Sequence, residues 1–401
     1  MVAELLSGDG SPPQPRQRAL QPGFLGILPT RGCNLACRYC GFVPRECGSG
    51  VMDLELARNA IDWYLGLVSE RGDRAAAIHF FGGEPFYAPE VVEFCVHYAR
   101  LKALGAGIAL RFEVATNGVF SQGRAQWLAD TFDDVILSLD GPAEIQNYHR
   151  PGRRGEETFE SVVRTAAIVS DGAAALAFRA CVTADTVDRM PETAAWLCEE
   201  FRPVAVCFEP VQPVQGDHLF LPPEPWDFSR RFIEAARILE SFAVEPVYAT
   251  ADIRVNRVSF CPVGSDTLIV SPDGLLSACY LLPEEWQASG LDLAVGCIED
   301  GTVYVDGDRL AATRALNVWN KPACHACFCQ WHCAGGCHVH NELPRRPGDY
   351  GRRCVQTRVI ALRNILYGMG ECERMAALLE NQGALLAAIT QDSDLLLDGR
   401  C

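Results

Sequence analysis

Six short apolar runs, each followed by a segment of helical spacing, constrain this chain more than any other feature. The runs are residues 24–30, 76–82, 110–117, 134–140, 175–183 and 204–210. Helical spacing follows at about 53–68, 89–103, 122–130, 157–170, 190–201 and 226–242, with Asp53 as the first N-cap. Strands that are apolar throughout are buried on both faces. In alternation with helices they dictate a parallel sheet with right-handed crossovers. A closed barrel needs eight such units, so six predict an α/β fold, a partial (β/α)6 TIM-like barrel. The expected layout is a mobile tail over 1–22, the barrel over 23–245, a cysteine-rich domain over 246–360 and a helical segment over 361–401. The cysteine-rich part opens with a hairpin pattern, "DTLIVSPDGLLSACY", turning at Pro-Asp-Gly.

Composition narrows the classes. A chain of 401 residues with 49% hydrophobic and 21% charged residues supports a large core. A net charge of −16 argues against nucleic acid or an anionic membrane as the main partner, because both need a basic face. The N-terminus lacks the basic and apolar regions of a secretory signal, and no run is long enough to span a bilayer. The nineteen cysteines are therefore expected in the reducing cytoplasm, where clustered thiols bind metal more often than they form disulfides.

The first cluster is "RGCNLACRYCGF", which places Cys33, Cys37 and Cys40 on the loop after the first strand, at the C-terminal face of the barrel. Three thiolates on one loop can hold three corners of a cubic [4Fe–4S] cluster, which usually takes four. A structural zinc site also wants four ligands, and Cys47 is the next thiol in sequence. The second cluster runs Cys261, Gly274, Cys279, then "CHACFCQWHCAGGC" with Cys324, Cys327, Cys333 and Cys337, then Cys354. Zinc-ribbon pairing is the rival reading for it.

Cys33, Cys37 and Cys40 in C-x3-C-x2-C spacing, with Tyr39 inside, resemble the radical S-adenosylmethionine (SAM) superfamily. The resemblance implies that the methionyl amino and carboxylate groups of SAM fill the open iron. One electron then cleaves SAM to methionine and a 5′-deoxyadenosyl radical, which takes hydrogen from the substrate. Gly82, Gly83 and Glu84 match the amino-group motif in position and order. Thr116, Asn117, Ser138 and Asp140 are the implied ribose and methionyl contacts, and Arg150 the implied partner of the SAM carboxylate. The family commonly has a His near Gln146; here His149 is close by. The later cysteines resemble the SPASM extension of peptide-modifying members. Its crossed pairing implies two auxiliary [4Fe–4S] clusters, one on Cys261, Cys279 and Cys337, the other on Cys324, Cys327, Cys333 and Cys354. The first is one ligand short, so either it is open or Cys297 or Cys329 closes it.

The SPASM resemblance points to a peptide or protein substrate, and the leading expectation is a maturase of a ribosomally made peptide. The outcomes are a thioether, a carbon–carbon cross-link or an epimerisation. An anaerobic sulfatase-maturing, formylglycine-forming enzyme is an alternative. Such relatives carry an Asp base after the Cys279 position, where this chain has Tyr280, and a phenol is a poor base at neutral pH. An iron–sulfur electron-transfer protein without radical chemistry is the third reading. Glu209 and Tyr280 are the candidate catalytic residues. Expected partners are a ferredoxin or flavodoxin donor and, since only 32 residues precede Cys33, a separate leader-binding protein.

Overall fold

In the computed structural model the described residues are 20–42, 50–212, 220–261, 263, 266–340 and 351–390. The expected tail falls almost wholly outside them, as does Cys47. Six βα units follow one another. They are β1 (Leu25–Ile27) with α1 (Leu54–Glu70), β2 (Ala75–Phe80) with α2 (Pro89–Ala106), and β3 (Ala109–Thr116) with α3 (Gln122–Thr131). β4 (Asp134–Ser138) is followed by two helices, α4 (Ala143–His149) and α5 (Phe159–Asp171). β5 (Ala175–Val182) leads to α6 (Met190–Glu200), and β6 (Ala205–Pro210) to α7 (Pro225–Ser241).

Local chemistry explains these boundaries. The Asp53 carboxylate accepts from the Glu55 amide and caps α1, and Ser121 caps α3 in the same way. Helix α1 buries Ala57, Ala60, Ile61, Tyr64, Leu65 and Val68, a stripe of helical period that packs on the sheet. Helix α2 ends at Gly107, whose φ of 65° is the left-handed cap position that glycine occupies without strain.

The sheet extends beyond the six units. Strand β7 (Glu245–Val247) pairs parallel with β6, and a second set joins at the other end: β8 (Leu268–Val270), β9 (Leu275–Ser277), β10 (Ala294–Glu299) and β11 (Thr302–Val305). All eleven strands form one sheet in the order β11-β10-β9-β8-β1-β2-β3-β4-β5-β6-β7. Strand β8 runs parallel to β1, with Leu25 opposite Leu268, and the β8–β9 hairpin turns at Pro-Asp-Gly as its sequence pattern predicts. Helix α8 (Pro283–Ala288) and helix α9 (Gly307–Arg314) flank β10 and β11. The chain closes with α10 (Arg352–Gly368), α11 (Cys372–Glu380) and α12 (Gln382–Thr390), and α10 packs on α7. One apolar core lies between the sheet and the helices, with Leu25, Ile27, Phe80, Phe112, Phe178 and Phe208 at its centre. The opposite, inner face of the barrel strands carries Gly26, His79 and Glu113 in one register row, Ser138, Arg179 and Cys207 in another, and Glu209 opposite Cys181.

Candidate active site

The three-thiol loop leaves β1 and is pinned at several points. Thr30 pairs with Val51 and Leu35 with Gly152 as isolated bridges. The Ala36 amide donates to Pro151 O at 2.8 Å, and the Arg38 amide to His149 O at 3.0 Å. Loop and β2 exit meet backbone to backbone. Gly83 N donates to Thr30 O at 3.3 Å and Glu84 N to Gly32 O at 2.8 Å. This contact is why two glycines stand there. A Cβ on Gly82 would lie 2.7 Å from Thr30 O, and one on Gly83 2.7 Å from Arg31 O and closer still to Gly32 O. The three thiols lie in mutual electrostatic reach, and burial pushes Cys33 up to about 11 and Cys37 up to about 12. Cys33 and Cys37 are therefore neutral thiols until a metal displaces the protons.

Two nests flank this loop. Glu84 is buried, and its carboxylate accepts from Thr116 Oγ1 (2.7 Å), Asn117 N (2.7 Å) and Phe86 N (3.1 Å). Burial raises its pKa to about 7 against those three bonds. The Asn117 amide also reaches Cys33 Sγ at 3.6 Å. The second nest centres on Asp140. Tyr39 donates its hydroxyl to Asp140 Oδ2, His149 Nδ1 lies 3.1 Å from the same oxygen, and Arg150 Nε lies 3.0 Å from Oδ1. The Cys181 amide donates to Oδ1 at 2.9 Å. Burial alone would raise the Asp140 pKa, but Arg150, His149 and Tyr39 together hold it at about 2. Asp140 is thus a fully engaged anchor that sets Tyr39 and Arg150. Arg150 Nε is buried with no hydrogen-bond acceptor in line, and its charge is felt at Cys37. A guanidinium anchored by Asp140 on one side of the thiols and a buried carboxylate on the other fit the carboxylate and ammonium ends of an amino acid. Ser138 lies on the inner face one row from Asp140, opposite Arg179.

The later cysteines gather into two sets. Cys261, Cys279 and Cys337 are electrostatic neighbours of one another. Cys324, Cys327, Cys333 and Cys354 form the other set and line one cavity together with Cys329 and Arg358. Among the described residues no three His, Cys, Asp or Glu side chains converge on a point suited to a single metal ion. Four thiols around a common cavity are what a multi-iron cluster needs. Neither Cys297 nor Cys329 completes the three-thiol set. Cys297 sits on β10 paired with Tyr304, with Glu299 as its charged neighbour. Cys329 is buried beside Cys327 and Cys333. The group that does approach is His340, whose amide donates to Cys337 Sγ at 3.5 Å and whose Nε2 lies 3.3 Å from Glu285 Oε2. Glu285 in turn stands against Gly41, next to Cys40, so this set reaches the thiol loop of the barrel.

Of the two candidate catalytic residues, Glu209 lies on the inner face, 3.6 Å from Arg353 Nη1, with Cys207 Sγ 3.6 Å from its other oxygen. Tyr280 packs on Phe81, and its hydroxyl would lie 2.8 Å from a Cβ at Gly26. Burial, with Glu113 and Cys279 nearby, raises its pKa well above the usual phenol value. Sequence reasoning missed Arg179, Arg353, Lys321, His340 and Arg358. Arg179 had a signal: it breaks the apolar run of strand five at an inner-face position. Lys321 is buried, donates to Ala334 O at 2.9 Å, and feels thiols of both later sets. Arg358 donates to Cys327 Sγ at 3.1 Å.

Fold and site together define an open parallel barrel that presents three thiols, a guanidinium paired with Asp140 and a buried carboxylate at the C-terminal ends of its strands. The family model described as "Radical SAM superfamily" matches residues 27–193, so this part of the chain carries a radical SAM domain, and a cysteine-rich part follows it. SAM and a [4Fe–4S] cluster are the cofactors of that superfamily, and the first thiol set and its two nests fit them. Among curated proteins, the serine-type anaerobic sulfatase-maturating enzyme of Klebsiella aerogenes is 24% identical over 331 residues, 77% of either chain. Among solved structures, anSMEcpe with bound AdoMet and Cp18Cys peptide shares the fold at TM-score 0.65 and 19% identity, over 90% of this chain and 100% of that one. Streptococcus suis SuiB bound to precursor peptide SuiA does so at 0.55 and 15%, over 83% and 75%.

Proposed function

We propose that this protein is a radical SAM maturase that takes a hydrogen atom from a ribosomally made peptide or protein and installs a thioether or a carbon–carbon cross-link, or epimerises a residue. The observation that carries the reading is convergence. The thiol loop, the Glu84 nest and the Asp140–Arg150 nest open toward an inner face that bears ionisable side chains. When bound, the cluster and SAM would supply the 5′-deoxyadenosyl radical. Cys33, Cys37 and Cys40 would hold the cluster. Glu84, Gly82, Gly83, Thr116 and Asn117 would take the ammonium end and Arg150 the carboxylate, with Tyr39 and Asp140 fixing Arg150 and Ser138 beside them. The protein would also exclude water from the radical. The two later thiol sets would hold auxiliary [4Fe–4S] clusters and relay electrons. Glu209 is the candidate proton acceptor. Peptide-bound forms of both structural neighbours support a peptide substrate.

Formylglycine formation is favoured by likeness to the sulfatase-maturating enzyme, but the buried, high-pKa phenol of Tyr280 makes a poor base. A cytoplasmic setting, a ferredoxin or flavodoxin donor and a separate leader-binding protein complete the proposal. The test is anaerobic reconstitution with iron and sulfide, then SAM and dithionite. Deoxyadenosine with about twelve irons per chain, three cubic clusters' worth, is expected. No deoxyadenosine with eight or fewer would instead favour the electron-transfer reading.

A further inference from the structure

The charges on the inner face of β5 and β6 do not balance. Arg179 stands opposite Ser138 on β4 and Cys207 on β6 in the sheet register. Its neighbours Phe178 and Ala180 are buried in the helix-side core, so the Arg179 side chain projects into the barrel. It is solvent-accessible there, and its charged surroundings are Glu209, Cys207, Cys181 and Arg150. Glu209 already pairs with Arg353 from α10. Asp140 is held by Arg150, His149 and Tyr39. Burial pushes the Cys181 and Cys207 thiols up, so they are neutral. Glu113 stands on β3, two strands from Arg179 and beside His79 at 3.4 Å, and Glu84 is bound to the β3 exit. Three guanidinium groups, of Arg150, Arg179 and Arg353, thus face two carboxylates, of Asp140 and Glu209. Arg353 Nε is also buried without a hydrogen-bond acceptor. In a chain of net charge −16, this is a local cationic surplus in a confined space.

A guanidinium fork matches a carboxylate in two-point geometry, and the Arg179 fork is accessible while its nearest carboxylate, Glu209, is already paired with Arg353. We propose that Arg179, backed by the Glu209–Arg353 pair, is a carboxylate-binding subsite for the substrate, so that the peptide segment drawn into the barrel carries an Asp or Glu side chain next to the residue that loses hydrogen. The inference rests on the peptide-modifying reading above. The other source of a carboxylate is SAM itself. Arg150 is the better partner for that one, because its charge reaches Cys37 of the thiol loop while no thiol of that loop appears among the charged neighbours of Arg179.

The test is arginine labelling of the reconstituted protein with phenylglyoxal, read at Arg179 by peptide mass spectrometry. The probes are SAM alone, SAM with amidated pentapeptides carrying a central Asp or Glu, and SAM with the same pool carrying Asn or Gln. The acidic pool should slow labelling of Arg179 at least threefold, while the amide pool and SAM alone leave it within experimental scatter. Protection by SAM alone would give the subsite to the cofactor. Equal protection by both pools, or by neither, would overturn the proposal. Absence of deoxyadenosine in the parallel assay would sink the radical-enzyme reading instead, and the labelling pattern would still report whether Arg179 selects a carboxylate.

Discussion

Replacing Gly83 by Ala tests the backbone contact on which the site is built. The new Cβ would lie 2.7 Å from Arg31 O and inside contact distance of Gly32 O. Both carbonyls belong to the loop that enters Cys33. A carbon–oxygen contact settles beyond about 3 Å, so the loop must retreat by roughly 0.5 Å at Arg31 and about 1 Å at Gly32. The hydrogen bonds from Gly83 N and Glu84 N to Thr30 O and Gly32 O weaken with it. At about 1 kcal/mol each, their loss costs about 2 kcal/mol of stability, which leaves the fold intact. The site suffers more, because a misplacement of about 1 Å at reacting groups costs on the order of 100-fold in rate. We expect the Gly83→Ala protein to unfold cooperatively a few degrees lower, and to form deoxyadenosine about 100-fold more slowly under dithionite. Iron should be lost from the first thiol set before the other two. A variant with full iron and a rate within threefold of the parent would show that the glycines are mere turn formers.

Other expectations follow from the same geometry. Burial puts the Glu84 pKa at about 7, above its ordinary value, so ionising it costs the fold stability as pH rises. Relative to Glu84→Gln, the parent should lose roughly 2–3 kcal/mol between pH 5 and pH 8, measured by urea denaturation of the metal-free proteins. Parallel pH curves for the two would refute the burial argument. Glu209→Gln should abolish peptide product while SAM cleavage continues, and an unchanged product yield would remove Glu209 from the chemistry. Lys321→Met removes a buried cation that faces both later thiol sets. Their clusters should become harder to reduce, seen as a lower midpoint in an EPR redox titration, with Lys102→Met as the silent control. Cys297→Ser should leave the iron count unchanged, since Cys297 stands apart from both sets.

Much of this architecture is legible from local pattern. Apolar runs gave the six barrel strands to within a few residues, because strands buried in a parallel sheet have little other chemistry to confuse them. The Pro-Asp-Gly hairpin and the Asp53 cap were readable for the same local reason. Strand β7 and the β10–β11 hairpin were not, because short strands at a sheet end are stabilised by pairing that spacing does not encode. Helix α4 was missed for a similar reason: at seven residues it is too short to show a period. In the site, motif spacing marked the thiols and the Gly-Gly-Glu turn. Asp140 was readable as a polar residue at a strand exit. Its full engagement by Tyr39, His149 and Arg150 was not, since those partners come from two segments separated in sequence, the thiol loop and the end of α4. His340 and Arg358 carry no sequence signal at all; only folding brings them to Cys337 and Cys327.

Strand β1 lies inside the sheet, with β2 on one side and β8 on the other. It feeds the loop bearing Cys33, while the hairpin partner of β8 feeds the segment bearing Cys279. Two prospective redox stations therefore hang from strands of one hydrogen-bonded lattice, β1 and the hairpin partner of β8, with only β8 between them. Their spacing is a matter of strand register, and a slip of one residue at β1–β8 would turn the inner and outer faces of β1 about. Electron traffic between such stations would be tuned by the side chains lying between them. Swapping the cysteine-rich part for that of a relative should then succeed only where the graft reproduces the pairing of Leu25 with Leu268.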